Sequence, residues 1–458
     1  MKKLFKSGIA LAVSITVALQ VNANEEHPLA EYLSKPGAKV TLPVSAAKQQ
    51  FEPSFVQGAF DSFESFHGQM GGDHTLYYLT NWSTFMRTDM VNPHEKQIAL
   101  ERNINKEIGE IIVNTDSEGE VKMDDYFQHP TFRHQGVMII HKGKVIYEAY
   151  PGMKPTDTHI WMSSAKTITG LVVAMLVEEG KLDLNSPVTH YATELKGTAW
   201  DKVSVLNLVN HTAGLDHEET NSSILDPNGV FVRFVRSAIG TTLPDERVEN
   251  WREVLKEVQP LPNEKPGERF RYSSLNTQVM GMVIENVTNA RWSDVVEKRI
   301  WSKLGARMPL MAHLAPDGTA LNMAIISSTL EDFAKYATLY TPSWDKVAHE
   351  QVVTSSLLKQ IRNAGNPSAF KGGAKEDQAI GLFAEKPLKG AYQFDFIFED
   401  GAMYKHGNTG QGIYIDPERD FAAVYFSATP YVAPYGEIKA PAYFRKVAEM
   451  LDKGKKTK

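Results

Sequence analysis

A hydroxyl group and an amine lie one helical turn apart in the stretch Ser163-Ser164-Ala165-Lys166, at the start of a long apolar pattern. The apolar residues that follow recur at helical spacing: Ile168, Leu171, Val172, Met175 and Leu176. Gly180 then provides a stop signal. Two strand-like runs, 136–140 and 145–150, precede the pattern and are joined by a turn that contains glycine. The order predicted here is strand, strand and then a helix that begins near Ser163.

The spacing of this serine and lysine is not specific by itself. The same spacing occurs at four other places: Ser45 with Lys48, Ser343 with Lys346, Ser356 with Lys359, and Ser368 with Lys371. Only the Ser163 copy opens a long helical pattern. One interpretation is a serine that caps the helix and a lysine on its exposed face. The other is a nucleophilic serine whose base lies in the same helix, and the spacing leaves both open.

The first residues are typical of a signal peptide. Lys2, Lys3 and Lys6 precede an apolar run over residues 9–21, and Val21-Asn22-Ala23 offers small residues where a peptidase would cut. A retained membrane anchor is the alternative, but the run is short for a bilayer span. We predict that residues 1–23 are a signal peptide cleaved after Ala23, that no stable membrane insertion remains, and that the protein is periplasmic or secreted.

Charge and cysteine content exclude several classes of protein. Loss of the three leader lysines changes the formal net charge from −6 to −9, which argues against nucleic acid as a partner and gives no reason to expect binding to anionic lipid. The chain has no cysteine, so disulfides and cysteine chemistry are excluded. Its 458 residues suffice for two or three packed units and a cleft between them.

The strand-like sequence lies toward the two ends of the chain. Residues 412–415 and 421–426 form a second hairpin pattern, and 440–451 is typical of a closing helix. We therefore predict an α+β fold (an α/β sandwich). Its antiparallel sheet is built from residues 131–180 and 336–452 and flanked by helices, with a mostly helical insertion over 181–335. Residues 24–130 are predicted as an N-terminal extension packed on the main body, and 453–458 as a frayed tail.

Further motifs follow Ser163 in a fixed order. His211-Thr212-Ala213-Gly214-Leu215 is a polar turn, Tyr272-Ser273-Ser274 enters a helix, and Lys405-His406-Gly407-Asn408 leads into the last hairpin. The glycines of this last segment would let a strand edge approach a ligand closely. A buried core tyrosine and a surface lysine are the alternative interpretations of Tyr272 and Lys405.

Taken in order, these motifs resemble those of the serine hydrolases related to class C β-lactamases, DD-peptidases, β-lactamase-fold esterases and 6-aminohexanoate-dimer hydrolases. The resemblance covers residues 135–450. Ser163 and Lys166 match the S-x-x-K element, and the segment at His211 is similar to H-T-S-G-L with alanine for serine. Tyr272 and Lys405 stand where the family has Y-x-N and K-T-G or H-x-G. The resemblance implies a β-lactamase/transpeptidase-like fold.

Catalytic roles follow from this resemblance and from the chemistry of the side chains. A serine hydroxyl needs a nearby base, and Lys166 could serve Ser163 if burial and a second cation lowered the lysine pKa. Lys405 is expected to be that cation. Tyr272 would complete the base pair, held toward its anionic form by the two lysines, as the resemblance implies. The helix amino terminus would favour the developing charge.

The resemblance also implies an oxyanion hole and substrate contacts. The backbone amides of Ser163 and Asn408 would hold the oxyanion, and Ser274, His406 and Gly407 would contact substrate. Ser274 departs from the family pattern, because β-lactamases of this type have asparagine there. We therefore expect an ester or amide substrate before a β-lactam or a DD-peptide. Asn276 is two residues further on and would face elsewhere on a helix.

Other classes of function have weaker support. No histidine falls in H-E-x-x-H and no glycines follow G-x-G-x-x-G, so we expect neither a metal nor any other cofactor. A penicillin-recognising or cell-wall-binding protein without turnover remains an alternative on the same fold. Retention of Ser163, Lys166, Tyr272 and Lys405 favours an enzyme that acts on a small ester, amide or peptide.

Overall fold

The computed structural model describes residues 34–64, 67–241, 248–430 and 437–456. The predicted signal peptide, residues 1–23, lies outside the described residues. Within the ranges that are described, no helix combines the length and apolar character needed to cross a bilayer.

The α-helices of the described residues vary from single turns to long elements. In chain order they are α1 Pro53–Asp61, α2 His67–Met70, α3 Asp73–Asn81, α4 Met123–Gln128, α5 Lys166–Glu178, α6 Val188–Tyr191, α7 Val205–Val209, α8 Val230–Ile239, α9 Trp251–Lys256, α10 Ser274–Thr288, α11 Trp292–Arg299, α12 Leu330–Thr338, α13 Ser355–Asn363, α14 Pro367–Phe370, α15 Ala374–Phe383 and α16 Ala440–Lys456. The last helix therefore continues into the segment 453–458 that the sequence predicts as a frayed tail.

The strands form three sheets. In chain order they are β1 Thr88–Val91, β2 Glu101–Arg102, β3 Ile112–Thr115, β4 Gly119–Lys122, β5 His134–His141, β6 Lys144–Ala149, β7 Thr158–Ile160, β8 Leu310–His313, β9 Ile326–Thr329, β10 Lys389–Ala391, β11 Phe394–Ile397, β12 Met403–Gly407, β13 Gln411–Asp416 and β14 Phe421–Ser427. Eight of them form the main sheet, in the order β10-β11-β12-β13-β14-β5-β6-β2.

The main sheet joins the two ends of the chain. Strand β14 pairs antiparallel with β5, and the two predicted hairpins, β5–β6 and β13–β14, lie on either side of this junction. Only β2 departs from the antiparallel pattern among the described strands, since it pairs parallel with β6 at the edge. The predicted sheet built from both chain ends is thus present.

A second sheet was not expected from the sequence. It has the order β1-β8-β9-β7, and β8 and β9 fall within the segment 181–335 that is predicted as mostly helical. Strand β1 belongs to the predicted N-terminal extension and pairs with β8. The proposed division of the chain into domains stays a prediction.

Both faces of the main sheet are covered. Along β5, Met138 and Ile140 belong to one buried apolar cluster, and Val137 and Ile139 belong to another on the opposite face. This alternation is the two-residue period of a strand buried on both sides. Helices α5 and α12 contribute apolar side chains to the first cluster, and α16 contributes apolar side chains to the second. The result is a sandwich of helices, sheet and helices.

Candidate active site

Ser163 lies in a short 3-10 turn, Met162–Ala165, that leads directly into α5. Met162 has φ of 48°, in the left-handed region that few side chains adopt. The Trp161 N–H donates a 2.7 Å hydrogen bond to the Ile326 carbonyl and so fixes the entry to the turn. Ser163 is partly exposed at a cavity, whereas Ser164 is fully buried. The turn therefore presents one of two adjacent hydroxyl groups to a ligand.

Lys166 reaches Ser163 from the first turn of α5. Its Nζ donates hydrogen bonds to Ser163 Oγ at 2.9 Å, Ser274 Oγ at 2.9 Å and the Met323 carbonyl at 2.6 Å. The helix around it is apolar on nearly every side, so the amine is completely buried. Burial lowers the pKa of Lys166 to about 8, against the opposing effect of Glu219. A fraction of the amine is therefore neutral near pH 7.

Tyr272 lies at the end of the extended segment before α10, whose first residue is Ser274. Three ammonium groups lie near its ring: the distances from the ring centroid are 4.0 Å to Lys375 Nζ, 4.2 Å to Lys405 Nζ and 5.2 Å to Lys166 Nζ. The sequence predicts Lys166 and Lys405 as members of the site, but not Lys375. The phenol ring therefore lies among the amines of three lysines.

His211 supports the tyrosine from behind. The two ring centroids lie 5.0 Å apart, and His211 Nδ1 accepts hydrogen bonds from Ser273 N at 3.4 Å and Asn276 Nδ2 at 3.3 Å. Burial lowers the pKa of His211 well below its usual value, so the ring is neutral. Asn276 faces this histidine rather than the cavity, as its position on the helix predicts.

Lys405 is paired with a buried carboxylate. Its Nζ lies 2.7 Å from Asp395 Oδ1, and neither side chain is exposed. The His406 N–H donates to the other carboxylate oxygen at 2.9 Å. Although burial opposes it, the charges of Lys375 and Lys405 lower the pKa of Asp395, which is therefore ionised. The neighbouring cation that lowers the pKa of Lys166 is Lys375, a residue that the sequence analysis does not single out.

Strand β12 lies directly against the turn of Ser163. Ser164 Oγ donates to the Lys405 carbonyl at 3.4 Å. A Cβ atom on Gly407 would lie 2.8 Å from the Trp161 carbonyl oxygen, too close for any side chain. The turn that follows the strand brings Asn408 to the same cavity as Ser163.

The cavity has a volume of about 630 Å³, and both apolar and polar side chains line it. Apolar side chains form much of it: Met70, Met162, Ile224, Leu225, Phe231, Val232, Val235, Ile239, Met323, Ile325 and Ile438. Polar residues also line it, among them Glu218, Glu219, Tyr272, Ser274, Lys375, Gln378, His406, Asn408 and Thr409. Within the described ranges, no three histidine, aspartate or glutamate side chains are grouped so as to hold a metal ion.

The three predicted substrate contacts differ in position. Ser274 lines the cavity, but its Oγ accepts from Lys166 and its N–H donates to Glu219 Oε1. His406 also lines the cavity; its Nδ1 is hydrogen-bonded to Tyr404 OH at 3.1 Å, and burial lowers its pKa to about 3. Gly407 packs on the serine turn instead of lining the cavity.

Three charged residues of the site are missed by the sequence analysis: Lys375, Asp395 and Glu219. Strand pairing is the signal that could have identified Asp395. The antiparallel β11–β12 register places Phe396 opposite Tyr404, and therefore Asp395 opposite Lys405. Lys375 lies on α15 and Glu219 in a loop, and neither falls in a motif with diagnostic spacing.

Comparisons with known proteins show the family of the chain. The family model described as Beta-lactamase matches residues 124–448. The chain is 27% identical over 297 residues to 6-aminohexanoate-dimer hydrolase of Paenarthrobacter ureafaciens, covering 64% of this chain and 72% of the relative. It is 32% identical over 145 residues to a β-lactamase of Providencia stuartii, covering 32% of each chain.

Solved structures have the same fold. A Bacillus anthracis protein, provisionally named as a 6-aminohexanoate-dimer hydrolase, superposes with a TM-score of 0.67 and 21% identity over 82% of this chain and 94% of that chain. A β-lactamase/D-alanine carboxypeptidase of Yersinia pestis superposes with a TM-score of 0.53 and 16% identity over 72% and 96% of the two chains. The predicted α+β fold is confirmed.

Proposed function

Because the chain belongs to the Beta-lactamase family of hydrolases, we propose that it is a serine hydrolase that cleaves a small ester or linear amide through an acyl-enzyme on Ser163. The observation that carries this proposal is the 2.9 Å hydrogen bond between Lys166 Nζ and Ser163 Oγ. Burial lowers the pKa of this amine to about 8, which suits it to act as a base.

The hydrogen bonds of Lys166 explain how it would act as a base. A protonated lysine has three N–H donors and no acceptor, and here the three donors point to Ser163, Ser274 and Met323. The neutral amine keeps two N–H donors, and Ser274 Oγ and the Met323 carbonyl can accept hydrogen bonds from them. Its lone pair is then directed at Ser163, where it accepts the hydroxyl proton. With a pKa of about 8, about one tenth of the molecules hold this form at pH 7.

In the first half of the reaction Ser163 Oγ bonds to the carbonyl carbon as its proton passes to Lys166. The carbonyl oxygen becomes an oxyanion, for which the amides of Ser163 and Asn408 are the proposed donors. Tyr272 gives a proton to the leaving oxygen or nitrogen as that bond breaks, and takes one back from Lys166. In the second half a water oxygen bonds to the acyl carbonyl carbon and gives a proton to the base pair. The bond from this carbon to Ser163 Oγ then breaks, the base pair returns the proton to Ser163 Oγ, and the carboxylic acid leaves.

The substrate is proposed to be a small uncharged acyl group in ester or linear amide linkage. The apolar wall of the cavity supports an aliphatic or aromatic acyl chain. The longer of the two matches with curated relatives is to a linear amide hydrolase, 6-aminohexanoate-dimer hydrolase. A β-lactam is the second candidate, supported by the shorter match to a β-lactamase.

A non-catalytic binding protein is a weaker alternative. A protein that only recognised penicillin or cell wall would have no use for a buried amine placed on a serine hydroxyl. The same proposal places the enzyme in the periplasm or outside the cell, on the basis of the leader sequence in residues 1–23.

Labelling with a fluorophosphonate probe tests the nucleophile. The wild-type protein is expected to be labelled, and Ser163→Ala is expected to lose the label. Ser164→Ala is the matched control, since this neighbouring hydroxyl is buried and should not affect labelling. Equal labelling of wild type and Ser163→Ala removes the assignment. Rates on a nitrophenyl ester, a 6-aminohexanoate dimer and a chromogenic cephalosporin then rank the substrate classes.

A further inference from the structure

We propose that Met70, a residue of the N-terminal extension, limits the length of the acyl chain that the cavity accepts. This inference rests on the proposed function, in which the acyl chain lies along the apolar wall. It assigns a specificity role to a part of the chain that precedes residues 124–448, the segment that the family model matches.

The side chain of Met70 is covered by the cavity rather than by the core. Met70 is 7% exposed and lines the cavity. It is absent from both apolar clusters that the described residues form on the two faces of the main sheet. Among the described residues of the cavity wall, it is also the only one that comes before Met162 in the chain. The extension therefore reaches the cavity through this methionine.

The residue after Met70 fixes it against the segment that follows β14. Gly71 has φ of 82°, in the left-handed region. A Cβ atom at Gly71 would lie 2.4 Å from Pro430 Cα and 2.9 Å from the Thr429 carbonyl oxygen, so glycine allows the two backbones to approach this closely. Thr429 and Pro430 line the cavity as well. Met70 and these two residues thus form one continuous part of the wall.

A second contact joins the extension to α8. Glu64 Oε2 lies 3.8 Å from Arg236 Nη2, and Arg236 is a residue of this helix. Helix α8 provides a large share of the apolar wall: Phe231, Val232, Val235 and Ile239. The extension is therefore attached to α8 before Met70 and to Pro430 after it, and Met70 lies between the two attachments.

Asp73 fixes the extension to the body of the protein. Its Oδ1 accepts hydrogen bonds from the backbone N–H groups of Thr41 and Leu42, each at 2.9 Å. The Leu42 carbonyl in turn accepts from Arg133 Nη1 at 2.9 Å, one residue before β5. A wall residue that is held in this way stays in place when a substrate presses on it. Met70 can therefore impose a definite limit on chain length.

The other two methionines of the wall are tied to the reacting groups. Met162 directly precedes Ser163, and the Met323 carbonyl accepts from Lys166. Met70 is instead carried by the extension. We therefore assign Met162 and Met323 to the part of the wall beside the reacting carbonyl, and Met70 to the part that meets the far end of an acyl chain.

Truncation of Met70 should make room for a longer chain. Met70→Ala removes three heavy atoms, about the volume of two to three methylene groups. Each methylene group that moves from water to an apolar wall contributes a factor of about four in binding. Met70→Leu keeps nearly the same volume and should keep the limit.

The test is a series of 4-nitrophenyl esters (acetate, butyrate, hexanoate, octanoate and decanoate), in which only the acyl chain changes. Wild type is expected to show an optimum of kcat/KM within the series and a decline beyond it. Met70→Ala is expected to move the optimum about two carbon atoms longer. It should raise kcat/KM on that longer ester, relative to the acetate, by about 10- to 20-fold. Met70→Trp is expected to move the optimum to a shorter ester.

Met90→Ala is the matched control, because Met90 belongs to the same extension, is 44% exposed and lies on β1 away from the cavity wall. It should leave the optimum unchanged, as should Met70→Leu. Opposite shifts in Met70→Ala and Met70→Trp cannot come from impaired folding, which lowers all rates alike.

The same optimum in wild type, Met70→Ala and Met70→Trp overturns the proposal. A wild-type protein whose kcat/KM shows no decline up to the decanoate also overturns it, since no residue then limits the chain. Failure of the proposed function is a different result, in which wild type hydrolyses none of the esters and Ser163 takes no fluorophosphonate label.

Discussion

Lys405 Nζ and Asp395 Oδ1 lie 2.7 Å apart in the interior of the protein, and neither side chain is exposed. The pair joins β11 to β12, and β12 is the strand that lies against the serine turn. Asp395 also receives the backbone N–H of His406. The lysine of the last motif is thus held in the protein's own ion pair, and the lysine that lines the cavity is Lys375.

Breaking this pair from one side should destabilise the protein. In Asp395→Asn the buried Lys405 amine, whose pKa burial lowers well below its usual value, loses the carboxylate that opposes this shift, and we expect a loss of up to about 5 kcal/mol in the free energy of unfolding. Denaturant titration followed by circular dichroism measures the loss. The double variant Asp395→Asn/Lys405→Met removes both charges and should be more stable than the single variant. Equal stability of the two would contradict the role of the pair.

The activity should rise with pH through the titration of Lys166. Its pKa is lowered from 10.5 to about 8, and the active form is the neutral amine. The value of kcat/KM on a nitrophenyl ester should therefore increase about tenfold per pH unit below pH 8 and level off above it. Lys166→Arg should be inactive at every pH, because a guanidinium does not lose its proton. A flat profile between pH 6 and 9 would exclude Lys166 as the base.

Removal of the Tyr272 hydroxyl should impair turnover without unfolding the protein. We expect Tyr272→Phe to lower kcat by about 10²- to 10⁴-fold, the usual range for a general acid or base. Tyr340→Phe serves as the control, since Tyr340 is also buried and its hydroxyl is hydrogen-bonded to Tyr336 OH. Steady-state rates and thermal melts of both variants are the measurements. If Tyr272→Phe keeps full turnover, Lys166 acts without the tyrosine.

A side chain at Gly407 should separate β12 from the serine turn. The Cβ atom in Gly407→Ala would lie 2.8 Å from the Trp161 carbonyl oxygen and 3.2 Å from Met162 Cβ, so the strand or the turn must shift. A displacement of about 1 Å at this point can cost about 10²-fold in rate. Gly58→Ala is the control, because the nearest atom to its Cβ would be 3.6 Å away. Kinetics unchanged in Gly407→Ala would refute the close packing.

Local sequence patterns were sufficient for the elements that carry Ser163 and Lys166. The apolar spacing after Lys166 predicts α5. A turn with glycine predicts the hairpin β5–β6, and the turn Asp416-Pro417-Glu418-Arg419 predicts the hairpin β13–β14. These features depend on neighbouring residues in the chain, so their period is visible in the sequence. The arrangement of the catalytic motifs came from their order in a known family.

The remaining parts of the fold and the site depend on contacts between distant residues. Strands β8 and β9 have four residues each, too few for a clear period, and β8 pairs with β1 far earlier in the chain. The contact of Lys375 with Asp395 joins a helix to a strand, for which no spacing rule exists. Such pairs are determined by packing of the whole chain rather than by local propensity.

The junction of β14 with β5 has a consequence for the newly made chain. Ser427 Oγ donates to the Arg133 carbonyl across 294 residues, so β5 pairs with residues that are synthesised long after it. Until those residues leave the ribosome, β5 has an open edge, and the face that α16 covers is bare. Pairing over such a distance is slow, so the growing polypeptide is exposed to aggregation until β14 arrives.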